Sequence, residues 1–167
     1  MESPPSAAVS WSRFNVDDLT DTDDGLRVSV LRSKADQKGE GAAVGIPYGA
    51  NPATCPVRAW RVWLAVRGDA DGPAFLPIDR HGRLAHRRLT TLAVAKVVKC
   101  RVAAAGHDPT LFAAHSLRAG FATWAFGQGV PEFSVMRHGR WQSAASMRGY
   151  IREGSLFRDN AAAKLGL

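Results

Sequence analysis

Residues 113–126 read "AAHSLRAGFATWAF". At about 100° per residue, Leu117, Phe121, Trp124 and Ala125 cluster within about 100° of arc, so the spacing predicts an amphipathic helix that buries this stripe. His115 and Arg118 lie near the start of the same helix, three residues apart, and point well off the centre of the stripe. A His/Arg pair at that spacing is ordinarily a solvated helix edge, so its meaning depends on what the rest of the chain brings to it.

Beyond the helix, "GQG" (127–129) breaks the pattern, "PEFSVM" (131–136) starts a short second helix, and Ser143 can cap a third. The segment "GRWQSAASMRGYI" (139–151) sets Trp141 nine residues before Tyr150. Before the His115 helix, residues 89–105 predict another helix, apolar at Leu89, Leu92, Ala93 and Val97, basic at Lys96, Lys99 and Arg101, and closed by Gly106. Residues 69–86 are rich in Gly and Pro and read as a loop with at most short strands. Thr54 can cap a helix with Pro56 in its first turn, a buried stripe of Val57, Trp60 and Leu64, and a stop at Gly68. Its other faces carry Arg58, Arg61 and Arg67. Residues 25–49 alternate Leu26, Val28, Val30, break into a polar tip, and resume at Ala42, Val44 and Ile46. This predicts a β-hairpin with Lys34 where the first strand meets its loop. The predicted class is mainly α with a small antiparallel β-sheet (α+β).

With 167 residues, 46% hydrophobic and 22% charged, the chain is expected to form one well-filled globular domain. Its charge is uneven: residues 1–24 hold six acidic side chains and one basic, a net of −5, which against +7 for the whole chain leaves +12 on residues 25–167. A body that basic points to a polyanion, nucleic acid before an anionic membrane. No run approaches the roughly 20 uncharged apolar residues of a membrane span, and "MESPPSAAVSW" lacks the pattern of a signal peptide, so no membrane and a cytoplasmic location are expected. Cys55 and Cys100 are too few for a disulfide framework and read as small core residues. Neither they nor His81, His86 and His107 show metal-ligand spacing, so no metal or cofactor is expected.

Together, "RSKADQ" with Lys34, "HSLRAGFAT" as an H-x-x-R box, "GRWQS", and "YI" nine residues after Trp141 resemble the catalytic domain of the tyrosine recombinases, the phage-integrase family. The resemblance spans residues 25–167 and sets residues 1–24 apart as an acidic N-terminal remnant. It implies cleavage and rejoining of double-stranded DNA through a 3′-phosphotyrosyl intermediate. Tyr150 corresponds to the nucleophile and Arg118 to a phosphate clamp. His115 corresponds to a phosphate or proton partner, Lys34 to the acid for the leaving 5′-oxygen, and Trp141 stands where the family carries His or Trp. Such chemistry needs a nucleophile, donors for the charge that builds on non-bridging oxygens, and an acid for the departing sugar oxygen; these side chains can supply each. His138 and Arg137 flank the motif as secondary phosphate or backbone contacts. The resemblance also implies a homo-oligomer, a tetramer on DNA, docked through the C-terminal tail 152–167, although that tail can equally fold back on its own domain.

One family element is missing. A further arginine is expected about twelve residues before Asp18-Leu19, where this sequence has Ala7; Arg13 stands six places too late. The expectation is therefore a truncated or remodelled product, or a catalytic half of a longer chain, with strand transfer severely reduced. Two other readings stand beside it: a catalytically inactive DNA-binding remnant, which covalent attachment to DNA would distinguish, and a basic protein-interaction domain, which would not bind DNA even at low salt.

Overall fold

The computed structural model describes residues 11–30 and 42–151. It divides into two compact units, Met1–Val97 and Val98–Leu167.

The first unit is organised by a three-stranded antiparallel sheet in the order β1-β2-β3, formed by β1 (Leu19–Thr22), β2 (Gly25–Val30) and β3 (Ala42–Pro47). The expected hairpin is present in register, Leu26 facing Ile46 and Val28 facing Val44. Period-2 alternation turns Leu26, Val28 and Val30 onto the core, where Phe14, Leu19, Cys55, Val57, Trp60 and Ala74 join them. β1 was not foreseen: "LTDT" has one apolar residue and carries its acidic charge on an exposed strand. The β1–β2 turn is fixed by Gly25, whose φ of +143° disfavours any side chain and whose missing Cβ leaves room for the Ile46 carbonyl oxygen.

Helix α1 (Pro56–Arg67) starts with Pro in its first turn, buries Val57 and Trp60, and ends at Gly68 with φ +83°, as its sequence predicts. Thr54 is not its cap. It closes a single 3₁₀ turn, Pro52–Thr54, held by the Asn51 side chain, and Cys55 takes the N-cap position without a side-chain bond. Three arginines of this unit fasten its own frame. Arg61 makes a two-pronged contact with Asp21 at 2.5 and 2.8 Å. Arg67 donates to the carbonyls of Pro73, Gly68 and Ala70. Arg88 donates to the carbonyls of Ser12 and Phe14 and to Asn15. The 69–86 loop, as expected, carries only isolated bridges, Pro73 with Asn15 and Ile78 with Leu84.

Helix α2 (Thr91–Ala104) belongs to the first unit up to Val97. Its expected stripe is corrected: Val98 is the buried residue, while Leu92 and Val97 are exposed. Cys100 is exposed too, and only Cys55 is a core cysteine.

The second unit packs α3 (Ala114–Gly127) on α4 (Glu132–Gly139) and α4 on α5 (Ala144–Arg148). Its core is Ala122, Ala125, Val135, Trp141 and Met147. The face that α3 buries matches the expected stripe at Ala125 and departs from it elsewhere. Leu117 and Trp124 are 57% and 66% exposed, and the inward side carries Ala122 and Ala125. Small residues there let α4 and α5 approach closely, which the bulkier stripe would prevent. His115 and Arg118 lie within about 80° of those two alanines around the helix, but neither joins the core: His115 is exposed and Arg118 half-buried. No helix among the described residues is long and apolar enough to cross a membrane.

The substitution Gly25→Ala is expected to destabilise the first unit by more than about 1 kcal/mol, through the disfavoured φ and the clash with Ile46. Denaturant unfolding should show a lower midpoint; an unchanged midpoint would mean that the turn adapts freely.

Candidate active site

One helix, one link and one turn of the second unit meet at Tyr150. From α3 come His115, Arg118 and Thr123; the link between α4 and α5 supplies Trp141; the turn after α5 supplies Tyr150 itself. The Ser143 side chain caps α5 by accepting from the Ser146 amide at 3.1 Å, as the sequence predicts. The chain then turns so that the Tyr150 amide donates to Met147 at 2.9 Å. Arg148 pairs with Glu132 at 2.8 Å and ties α5 to α4.

The phenol is held from both ends. Its hydroxyl lies 3.2 Å from His115 Nε2, and the Thr123 hydroxyl donates to the Tyr150 carbonyl at 3.1 Å. One helix thus contacts both the backbone and the hydroxyl tip of the same residue. Thr123 has no sequence signature apart from any polar helix residue, which is why sequence reasoning missed it.

Trp141 is the floor of the arrangement. Its indole is buried, lies parallel to Phe121 at 6.2 Å between centroids, and meets Tyr150 edge-on at 5.8 Å. The Arg118 guanidinium sits over it, with Cζ 3.9 Å from the ring centroid and 6.0 Å from that of Tyr150. Trp141 Nε1 is buried and finds no hydrogen-bond partner among the described residues, a situation that is costly unless an acceptor arrives. The chain reaches this position through Arg140, the one non-glycine with positive φ among the described residues (φ 55°, ψ 46°). Such strained conformations cluster where surroundings impose them.

Burial pushes the Arg118 guanidinium below its ordinary pKa. The charge and hydrogen bond of Tyr150 act the other way, and the like charge of Arg140 adds to the fall. An arginine nevertheless stays protonated, so the site holds a fixed positive charge stacked on aromatic faces. Beside it, His115, Ser116, Ala119, Gly149 and Tyr150 line an open cleft of about 200 Å³.

The structure thus brings together His115, Arg118, Trp141 and Tyr150 of the sequence-predicted residues. Lys34 lies outside the described residues, as do Ala7 and the tail 152–167. His138 packs its ring on Phe121 at 5.1 Å, so it buttresses the aromatic layer from behind. His81, His86 and His107 are exposed. Among the described residues no three His, Cys, Asp or Glu side chains group closely enough to hold a metal ion.

No protein-family model matches the chain. Over 145 residues, however, it is 41% identical to an integrase/recombinase from Selenomonas ruminantium, a xerD homolog by description. The match takes in 87% of this chain, and the chain spans 42% of that relative's length.

Replacing Thr123 by Val keeps the side-chain shape and deletes the bond to the Tyr150 carbonyl. It is expected to cost about 1 kcal/mol of stability. Thermal unfolding measures this, and an unchanged midpoint would mean that the bond contributes nothing to holding Tyr150.

Proposed function

The chain belongs to the tyrosine recombinase family, and on that premise we propose that His115, Arg118, Trp141 and Tyr150 form a DNA strand-transfer site completed by Lys34. The observation that carries this reading is the 3.2 Å contact between His115 Nε2 and the Tyr150 hydroxyl, made beside a half-buried arginine.

In the proposed step, Tyr150 Oη attacks the phosphorus of a DNA phosphodiester while its proton passes to His115 Nε2. The bond to the 5′-oxygen breaks, and that oxygen takes a proton from Lys34. The product is a 3′-phosphotyrosyl linkage and a free 5′-hydroxyl. Attack by a 5′-hydroxyl reverses each transfer and restores the phenol. One phosphodiester replaces another of similar energy, so no nucleotide hydrolysis is needed. Arg118 offers forked donors to the non-bridging oxygens, held in place before the phosphate arrives. The buried Trp141 N–H provides a further donor, and a phosphate oxygen would satisfy it. Double-stranded DNA is the partner, attracted by the basic residues of 25–167, and the cytoplasm is the place of action. Assembly of several copies on two DNA sites through residues 152–167 is part of the same proposal.

Catalysis is proposed to be weak. The family's first arginine falls at Ala7, and removing one preorganised donor from a transition-state oxyanion costs about 2.7–4 kcal/mol, or 10²–10³ in rate.

The test is covalent trapping on nicked duplexes of randomised sequence, resolved under denaturing conditions. A faint adduct is expected from the chain, none from Tyr150→Phe, and roughly 10²-fold more from Ala7→Arg. Brisk Tyr150-dependent attachment by the unaltered chain would overturn the claim of impairment. Absence of any adduct in all three, with DNA binding retained, would overturn strand transfer and leave a DNA-binding module.

A further inference from the structure

Gly139 closes α4, two residues before Trp141, and its backbone is not in the left-handed region that would by itself call for glycine. Space demands it instead. A Cβ built there overlaps Cζ3 and Cε3 of Trp141 and comes within 2.7 Å of Cη2. The left-handed Arg140 folds the chain so tightly that the benzo half of the indole lies where a side chain at 139 would stand. The ring has little room to retreat, being buried with Phe121 along one face and Tyr150 at its edge, under the Arg118 guanidinium. All three nearest atoms belong to the six-membered ring of tryptophan, which an imidazole lacks.

We propose that Gly139 is a positioning residue whose missing side chain admits a tryptophan at 141 and thereby sets the height of the aromatic floor beneath Arg118 and beside Tyr150. The inference rests on the strand-transfer reading of the site and extends it: position 139 determines which ring can serve at position 141. An alanine at 139 displaces the indole by about 1–2 Å to restore ordinary carbon–carbon contact. That shift is passed to Arg118, which stacks on the ring, and to Tyr150, which packs against it. Misplacement of about 1 Å in a preorganised site can lower a rate by 10². With histidine at 141 the same alanine meets no six-membered ring and is tolerated.

The experiment is a double-mutant cycle on the full chain, comparing it with Gly139→Ala, Trp141→His and the double substitution. Three quantities are read for each: the rate of covalent attachment to nicked duplexes at saturating DNA, the Kd for the same duplexes, and the thermal unfolding midpoint. Gly139→Ala alone should slow attachment about 10²-fold while Kd stays within about threefold. Added to Trp141→His, it should change the rate by less than about threefold, and the midpoint effects should be similarly non-additive. Equal losses in both backgrounds, or attachment by Gly139→Ala at the unsubstituted rate, would overturn the proposal. If the unsubstituted chain gives no adduct, it is the strand-transfer reading that fails. The midpoints then decide separately: non-additivity supports the fit of Gly139 to Trp141, and additivity overturns it.

Discussion

The second unit depends on how one indole is packed. Trp141 is surrounded by Phe121 along one face, Tyr150 at its edge and the Arg118 guanidinium above, with the empty side of Gly139 beneath its six-membered ring. Each neighbour is itself a component of the site or a support for one. A buried aromatic of this size is stiff, with only two rotatable bonds, and close packing fixes both. Arg118 therefore needs no ion pair to be held: its planar group lies on a planar ring. This differs from the usual way of burying an arginine, in which a carboxylate cancels the charge it positions.

Around that floor, α3 does two jobs with one face. Ala122 and Ala125 are small enough to let the neighbouring helices close in, and nearer the N-terminus His115 and Arg118 continue the same direction. The helix enters the core at one end and lines the cleft beside Tyr150 at the other. Thr123 adds a bond to the backbone of Tyr150, so a single rigid element governs both the position of the phenol and the group that faces its hydroxyl. Under the proposed function, preorganisation of this kind would limit the rearrangement required when a phosphate enters.

Much of this could be read from residue order, and the failures have physical causes. The alternation of Leu26, Val28, Val30 against Val44 and Ile46 specified the hairpin because a slip of one residue would turn a whole apolar set away from the core. Pro56 and Gly68 marked α1 through backbone chemistry. The His115, Arg118, Trp141 and Tyr150 set was visible because spacing and residue type coincide with a known pattern. The buried side of α3 was read correctly at Ala125 and missed at Ala122, because hydrophobicity was taken as the guide where close helix approach favours small residues. β1 escaped because its pairing comes from β2 and its own sequence is polar. Gly139 was visible in "HGRW" but had no meaning until the indole was seen lying over it.

Arg118 differs in its partners from the arginines that fasten the frame of either unit, Arg148 with Glu132 among them. In the first unit, Arg61 is matched to the Asp21 carboxylate, and its hydrogen bond holds that carboxyl below the usual range. Arg67 and Arg88 spend their donors mainly on backbone carbonyls. Their charge is largely used to fasten strand, helix and loop, and a tally of basic residues overstates what such a surface offers to a polyanion. Arg118 carries the same group to a different end. Its neighbours are the faces of Trp141 and Tyr150, which attract a cation without neutralising it, and partial burial raises the strength of its field. No carboxylate among the described residues is paired with Arg118, and under the proposed function an incoming phosphate would meet that charge beside the Tyr150 phenol.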